Sequence, residues 1–118
     1  MIVKKQVNQF FRELRKKGYV AKQAVGATNS SAWEILHGEH VNTDKVVFYT
    51  KQGADAFTKQ NELVSTLWLS WSGNGKEIVQ IANQCGLPTR WKGTSQYCIG
   101  IVPENEEVLN LQSFRKIG

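Results

Sequence analysis

Val3, Val7, Phe10, Phe11 and Leu14 recur at intervals of three and four residues, with polar or charged positions between them. This spacing predicts an N-terminal amphipathic helix, closed by Gly18 as its C-terminal cap. Arg15, Lys16 and Lys17 then fall in the last turn, where positive charge suits the helix dipole. The pattern changes to alternation over Tyr19–Val25 (YVAKQAV), a predicted strand, and a loop with Gly26 and Asn29 follows. In SAWEILHG, Ser31 and Glu34 have the spacing of a capping box, and Gly38 would stop a short helix. Lys45–Thr50 (KVVFYT) is β-branched and aromatic, which predicts a buried strand.

Residues 51–62 permit a short helix through Ala54, Ala56, Phe57 and Gln60, weakened by Gly53. Leu63–Trp71 is the strongest strand pattern in the chain. Leu67, Leu69 and Trp71 share one face of it and Thr66, Trp68 and Ser70 the other, so a Trp on each face predicts a central position in the sheet. Ile78, Ile81, Ala82 and Cys85 form a helical stripe that Gly86 closes and Pro88 prevents from resuming. Thr89–Lys92 and Tyr97–Val102 flank Gly93-Thr94-Ser95-Gln96 as a closing hairpin. Beyond Pro103 the chain is acidic (Glu104, Glu106, Glu107) and then reads LNLQSFRKIG, a short helix or an extra strand.

The element order is α-β-α-β-(α)-β-α-β-β. It predicts one α+β domain over residues 1–118. Its sheet should be mostly antiparallel with about five strands, and two to four helices should pack mainly on one face. The strand–helix–strand unit at 63–92 also allows a locally parallel pair.

Composition changes this picture little: 41% hydrophobic and 21% charged residues describe an ordinary globular chain with enough aromatic bulk for a core. Charge adds more. Residues 1–22 hold Lys4, Lys5, Arg12, Arg15, Lys16, Lys17 and Lys22 against Glu13, 7 − 1 = +6, so the rest of the chain sums to 5 − 6 = −1. The basic character belongs to one segment. A solvated helix face explains it most simply, and contact with nucleic acid through Lys4, Lys5, Arg12, Arg15 and Lys16 is the functional alternative. Two cysteines, Cys85 and Cys98, make no disulfide framework. With no signal-like N-terminus and no apolar run of bilayer length, a cytoplasmic location away from membranes is the expectation.

The stretch LWLSWSGNGKEI suggests a phosphate-binding loop, and the suggestion fails on inspection. A P-loop needs Gly where Ser70 stands and a hydroxyl where Glu77 stands, and a dinucleotide fingerprint needs its third Gly where Ile78 stands. Asn74 and Glu77 at capping-box spacing, with Gly73 and Gly75 as turn residues, account for the helix start without a ligand. His37 and His40 in HGEH lack an identifiable third ligand and are separated by a helix-breaking Gly38, so no metal site and no cofactor is expected. Neither cysteine stands beside a base, and no G-x-S-x-G elbow occurs, so no catalytic residue is assigned.

LRKKGYVAKQ, VVFYTKQ, LWLSWSG, QCGLPTRWKGT and CIGIV occur in that order. The ordered set, over about residues 10–102, resembles a family of small uncharacterised bacterial domains that end in a helix, a Gly-Leu, a Trp-x-Gly turn and a final strand. Family members carry a cysteine cluster after the second element. Here that region is AVGATNSSAWE, so no metal or redox role transfers to it, and Gln52-Gly53 stands where they have Gln-Asp. The resemblance implies the fold order and a bacterial source, and no activity. From the residues themselves, the expected function is a non-catalytic module that binds another protein. Trp33, Trp68 and Trp91 are the surface candidates, nucleic-acid binding is the alternative, and an enzyme comes third.

Overall fold

A computed structural model describes residues 1–39 and 43–103. Helix α1 (Lys4–Lys16) leads to β1 (Val20–Lys22), α2 (Asn29–Gly38), β2 (Val46–Phe48) and a 3₁₀ turn at Gly53–Ala56. Then come β3 (Leu67–Ser72), α3 (Gly75–Gln84), β4 (Thr89–Arg90) and β5 (Ile99–Ile101). The five strands form one mixed sheet in the order β1-β2-β3-β5-β4. Among the described residues only β1 and β2 pair in parallel; the other three pairings are antiparallel. The strand of the LWLSW stretch is central, as its two-sided pattern predicts. The unit β3-α3-β4 leaves its two strands parallel in direction but not paired, because β5 lies between them and is antiparallel to both.

The period-two alternation of the strands divides the interior into two. On one face Leu67, Leu69, Ile99 and Ile101, with Val47 and Ala21, meet Val7, Phe10, Phe11 and Leu14 of α1 and Ile78, Ile81 and Ala82 of α3. Phe10, Phe11 and Tyr49 interlock edge to face. Each such fully buried aromatic or aliphatic side chain contributes about 1.5–3 kcal/mol by removal from water. On the other face Val46 and Phe48 meet Ala32 and Leu36 of α2, with Trp33 edge-on to Phe48 at a centroid distance of 5.0 Å. Two helices thus cover one face. The third reaches only part of the other, because α2 is the crossover of the adjacent parallel pair β1-β2 and lies over those strands.

Several local expectations are corrected. Helix α2 starts three residues early: its cap is Thr28, whose hydroxyl accepts from the Ser31 N–H, while the Ser31 hydroxyl accepts from the Thr28 N–H. Ser31 is therefore the far member of a capping box, and Glu34 has no part in it. Strand β1 stops at Lys22, and Ala24 beyond it has a left-handed φ of 55°. Strand β3 begins at Leu67, not Leu63; Leu63 makes an isolated bridge with Phe57. At α3, Asn74 Oδ1 accepts from the Glu77 N–H as predicted, but the reciprocal bond is absent. The Asn74 N–H instead donates to the Tyr19 hydroxyl at 3.3 Å. The acidic segment and LNLQSFRKIG lie outside the described residues.

Candidate functional site

The part of the sheet face that α2 leaves uncovered is a trough. Its floor is β3 and β5, where Trp68 and Ser70 share a face with Cys98 and Gly100. Helix α2, through Thr28, Asn29 and Trp33, forms one side, and residues 89–97 form the other. Adjoining hollows of about 420, 300 and 120 Å³ line up along it, and Cys98 borders all three.

Trp68 is the central feature. It is 46% exposed, although the strand that carries it is the middle one of the sheet. Its ring lies across β5 because Gly100, its register partner, has no side chain: a Cβ there would sit 3.0 Å from Trp68 Cζ3 and 2.7 Å from Thr66 Cγ2. The Arg90 guanidinium stands 5.7 Å from the Trp68 ring centroid. One face of a large apolar ring is thus supported by backbone and flanked by a cation, while nearly half the residue's surface stays in water. Such an arrangement favours a ligand that covers the ring.

The opposite wall is pinned by the other two tryptophans of this region. Trp71 and Trp91 pack edge to face at 5.6 Å. Their indole N–H groups donate to the carbonyls of Tyr97 and Thr94, both at 3.0 Å. The pair closes over Gly75 at the start of α3, where a Cβ would lie 2.5 Å from Trp91 and 2.9 Å from Trp71. Gly75 is thus required by the close approach of two rings, a role different from the turn residue its sequence context suggests; Gly73, at φ +107°, is the turn glycine. On the same wall Lys92 Nζ stands 4.6 Å over the ring of Tyr97, which is 44% exposed.

Arg90 and Lys92 border the largest of the three hollows, and among the described residues those lining the hollows include no Asp, Glu or His. The thiol of Cys98 has the Ser70 hydroxyl as its polar neighbour, at 4.0 Å. A hydroxyl can exchange a weak hydrogen bond with a thiol but cannot take its proton, so this pair lacks the base a nucleophile needs. Cys85 lies on the other side of the sheet, at the end of α3 beside the main core, where burial and then Glu13 push its thiol pKa up. The sheet separates the two cysteines.

The predicted site residues divide accordingly. Trp68 is in the trough, and Trp33 and Trp91 are half-buried in its sides, serving structure first. The basic cluster of α1 lies across the sheet from the trough. Arg15 is committed to the fold, its Nε and Nη2 both donating to the Ala21 carbonyl at 3.0 and 2.7 Å. Lys16 pairs with Glu13 at 3.2 Å and Lys4 lies 6.0 Å from the Phe57 ring. Lys5 and Arg12 are exposed. Sequence reasoning missed Arg90, Lys92, Tyr97, Ser70 and Cys98 as neighbours of Trp68. Only the alternation in TLWLSW and CIGIV, combined with the β3–β5 register, brings them together. His37 is exposed at the end of α2, and His40 lies outside the described residues. Among the described residues no cluster of three or more His, Cys, Asp or Glu is placed to hold a metal, and no helix is long and apolar enough to cross a membrane.

The fold and its trough define a small α+β domain with one helix-covered sheet face and one half-open face. Residues 5–105 match the family model described as Domain of unknown function (DUF6891), and the chain belongs to that family. The ordered motifs that resemble a family of small uncharacterised domains lie within the matched region. No curated protein and no solved structure matches the chain.

Proposed function

We propose that the chain is a non-catalytic, cytosolic interaction module that binds a segment of a partner protein along the trough. The observation that carries this reading is Trp68: a tryptophan on a central strand, 46% exposed, with its ring laid over Gly100 in a groove between α2 and residues 89–97. Large aromatic side chains in concave, preformed surroundings are where binding energy concentrates at protein interfaces. The wall opposite α2 is held by two indole hydrogen bonds and a Trp–Trp contact, so little ordering cost remains on binding. The hydroxyls and amides of Thr28, Asn29, Thr50, Gln52 and Ser70 along the floor and α2 side suit the peptide groups of an extended segment. The two free thiols fit a reducing compartment.

Selection of a random peptide display library on the immobilised full chain tests this. Enriched peptides should lose binding to Trp68→Ala while keeping it to Arg12→Glu on the far side of the sheet. Peptides that bind Trp68→Ala as well as the parent would refute the trough as the binding face. The alternative, nucleic-acid contact through α1, draws its support from the exposed Lys5, Arg12 and Lys16, since Arg15 is held by the Ala21 carbonyl.

A further inference from the structure

Resting on this reading of the trough, we infer that its first occupant is the chain's own segment of residues 104–118, so that a partner binds by displacing it. The path of the chain carries the inference. Gly100 is the register partner of Trp68, and Ile101, Val102 and Pro103, all buried, carry the chain on from it. The Val102 N–H donates to the Pro88 carbonyl at 2.9 Å. The chain therefore leaves beside the start of β4, roughly 10 Å along the strand from the partner of Trp68. The following 118 − 103 = 15 residues reach about 50 Å when extended. Turning back after Pro103, they have the length to cross a trough whose hollows all border Cys98.

The segment's chemistry suits the surface in the order that this path presents it. Glu104, Glu106 and Glu107 come first. A chain turning back along β4 brings them level with Lys92, which is exposed and held over the Tyr97 ring at 4.6 Å. Val108, Leu109, Leu111 and Phe114 follow, four large apolar side chains in seven residues. They arrive at the hollow of about 420 Å³ lined by the rings of Trp68, Trp91 and Tyr97. Asn110 and Gln112 alternate with the leucines, so an extended backbone turns an apolar edge to the rings and an amide edge away from them. Docking takes these side chains and the exposed 46% of Trp68 out of water together. The tether decides between this segment and a free partner of like chemistry. An attached segment faces the trough at an effective concentration of about 1 mM, so an intrinsic dissociation constant of about 0.1 mM keeps it docked roughly nine-tenths of the time.

The test keeps the full chain and changes three side chains of the segment, Leu109→Ser, Leu111→Ser and Phe114→Ser, which lie beyond the matched region 5–105. Circular dichroism establishes that this variant is folded. The probes are a display-selected peptide and a synthetic peptide of residues 104–118, followed by the Trp68 indole N–H resonance and by Trp fluorescence. The Trp68 resonance should differ between parent and variant at every protein concentration. The synthetic peptide should move the variant's resonance saturably towards the parent's position. The display-selected peptide should bind the variant roughly tenfold more tightly than the parent, the factor by which a segment docked nine-tenths of the time weakens a competitor. Equal binding to both, still lost in Trp68→Ala, would overturn the segment as occupant and leave the trough reading intact. Binding unchanged in Trp68→Ala would overturn both. A Trp68 difference confined to concentrations at which ultracentrifugation shows a dimer would make the occupant a second copy's segment and overturn docking within one chain. A Trp68 resonance alike in parent and variant, or no saturable response to the synthetic peptide, would also overturn the inference.

Discussion

Replacing Gly75 by Ala separates a packing role from a helix-propensity role with one methyl group. Gly75 is the first residue of α3, and propensity alone predicts that Ala stabilises a helix, by up to about 1 kcal/mol. The structure predicts the opposite sign. The new Cβ would lie 2.5 Å from Trp91 Cη2 and Cζ2 and 2.9 Å from Trp71 Cη2, so at least one indole must move. Moving it loosens the 5.6 Å edge-to-face pair and the 3.0 Å bonds to Tyr97 and Thr94. Overpacking of this kind costs roughly 1–3 kcal/mol. Against the propensity gain, a net loss of about 1–2 kcal/mol follows, or a fall in Tm of roughly 3–10 °C at this chain length. Gly38 in α2 is the control: a Cβ there meets nothing within 4 Å, so Gly38→Ala should be neutral or stabilising. Thermal unfolding followed by far-UV circular dichroism reads both, and near-UV spectra report the Trp pair. If Gly75→Ala is as stable as Gly38→Ala and the near-UV spectrum is unchanged, the close packing of Trp71 and Trp91 on α3 is wrong.

Removing the α3 cap with Asn74→Ala should cost about 1 kcal/mol in urea denaturation, whereas Lys76→Ala should stay within about 0.5 kcal/mol of the parent, as expected for an exposed residue. Arg15→Ala should cost about 1 kcal/mol because both donors to the Ala21 carbonyl disappear, while Arg12→Ala should be silent; equal effects would contradict the division of the basic cluster. Tyr19 and Tyr49 are both pushed up to about 12, chiefly by burial, from an ordinary 10. The folded chain holds these protons more tightly than the unfolded one, so their contribution is complete below pH 10 and is lost as pH rises through 12. Urea midpoints should fall across that window, and Tyr19→Phe with Tyr49→Phe should flatten the fall.

The element order was legible because it rests on local signals. Val7, Phe10, Phe11 and Leu14 recur at helical spacing, TLWLSW alternates, and Gly86-Leu87-Pro88 ends a helix whatever lies around it. The central position of β3 was legible for the same reason, since Leu69 and Trp68 mark two faces that both meet other atoms. What was not legible depends on register. That Gly100 lies opposite Trp68, and that Arg90 lies opposite Gly100, is set by pairings between strands up to about thirty residues apart. Neither residue type carries that information. Gly75 misled because one sequence context, Gly-Asn-Gly before a helix, serves equally for turn geometry and for ring packing. The basic cluster misled because charge along one helix does not say which guanidinium is taken by a backbone carbonyl. Arg15 is taken; Arg12 is not.

The central claim is that binding takes place on the half-open sheet face and not on the basic face of α1. Chemical-shift mapping of the isotopically labelled full chain during titration with a display-selected peptide tests it most directly, because every face is observed at once. The account predicts that the Trp68 indole and the amides of residues 89–98 move together with Ser70 and Gly100, while those of Lys5 and Arg12 stay still. Shifts concentrated on α1, with the Trp68 indole unmoved, would contradict it.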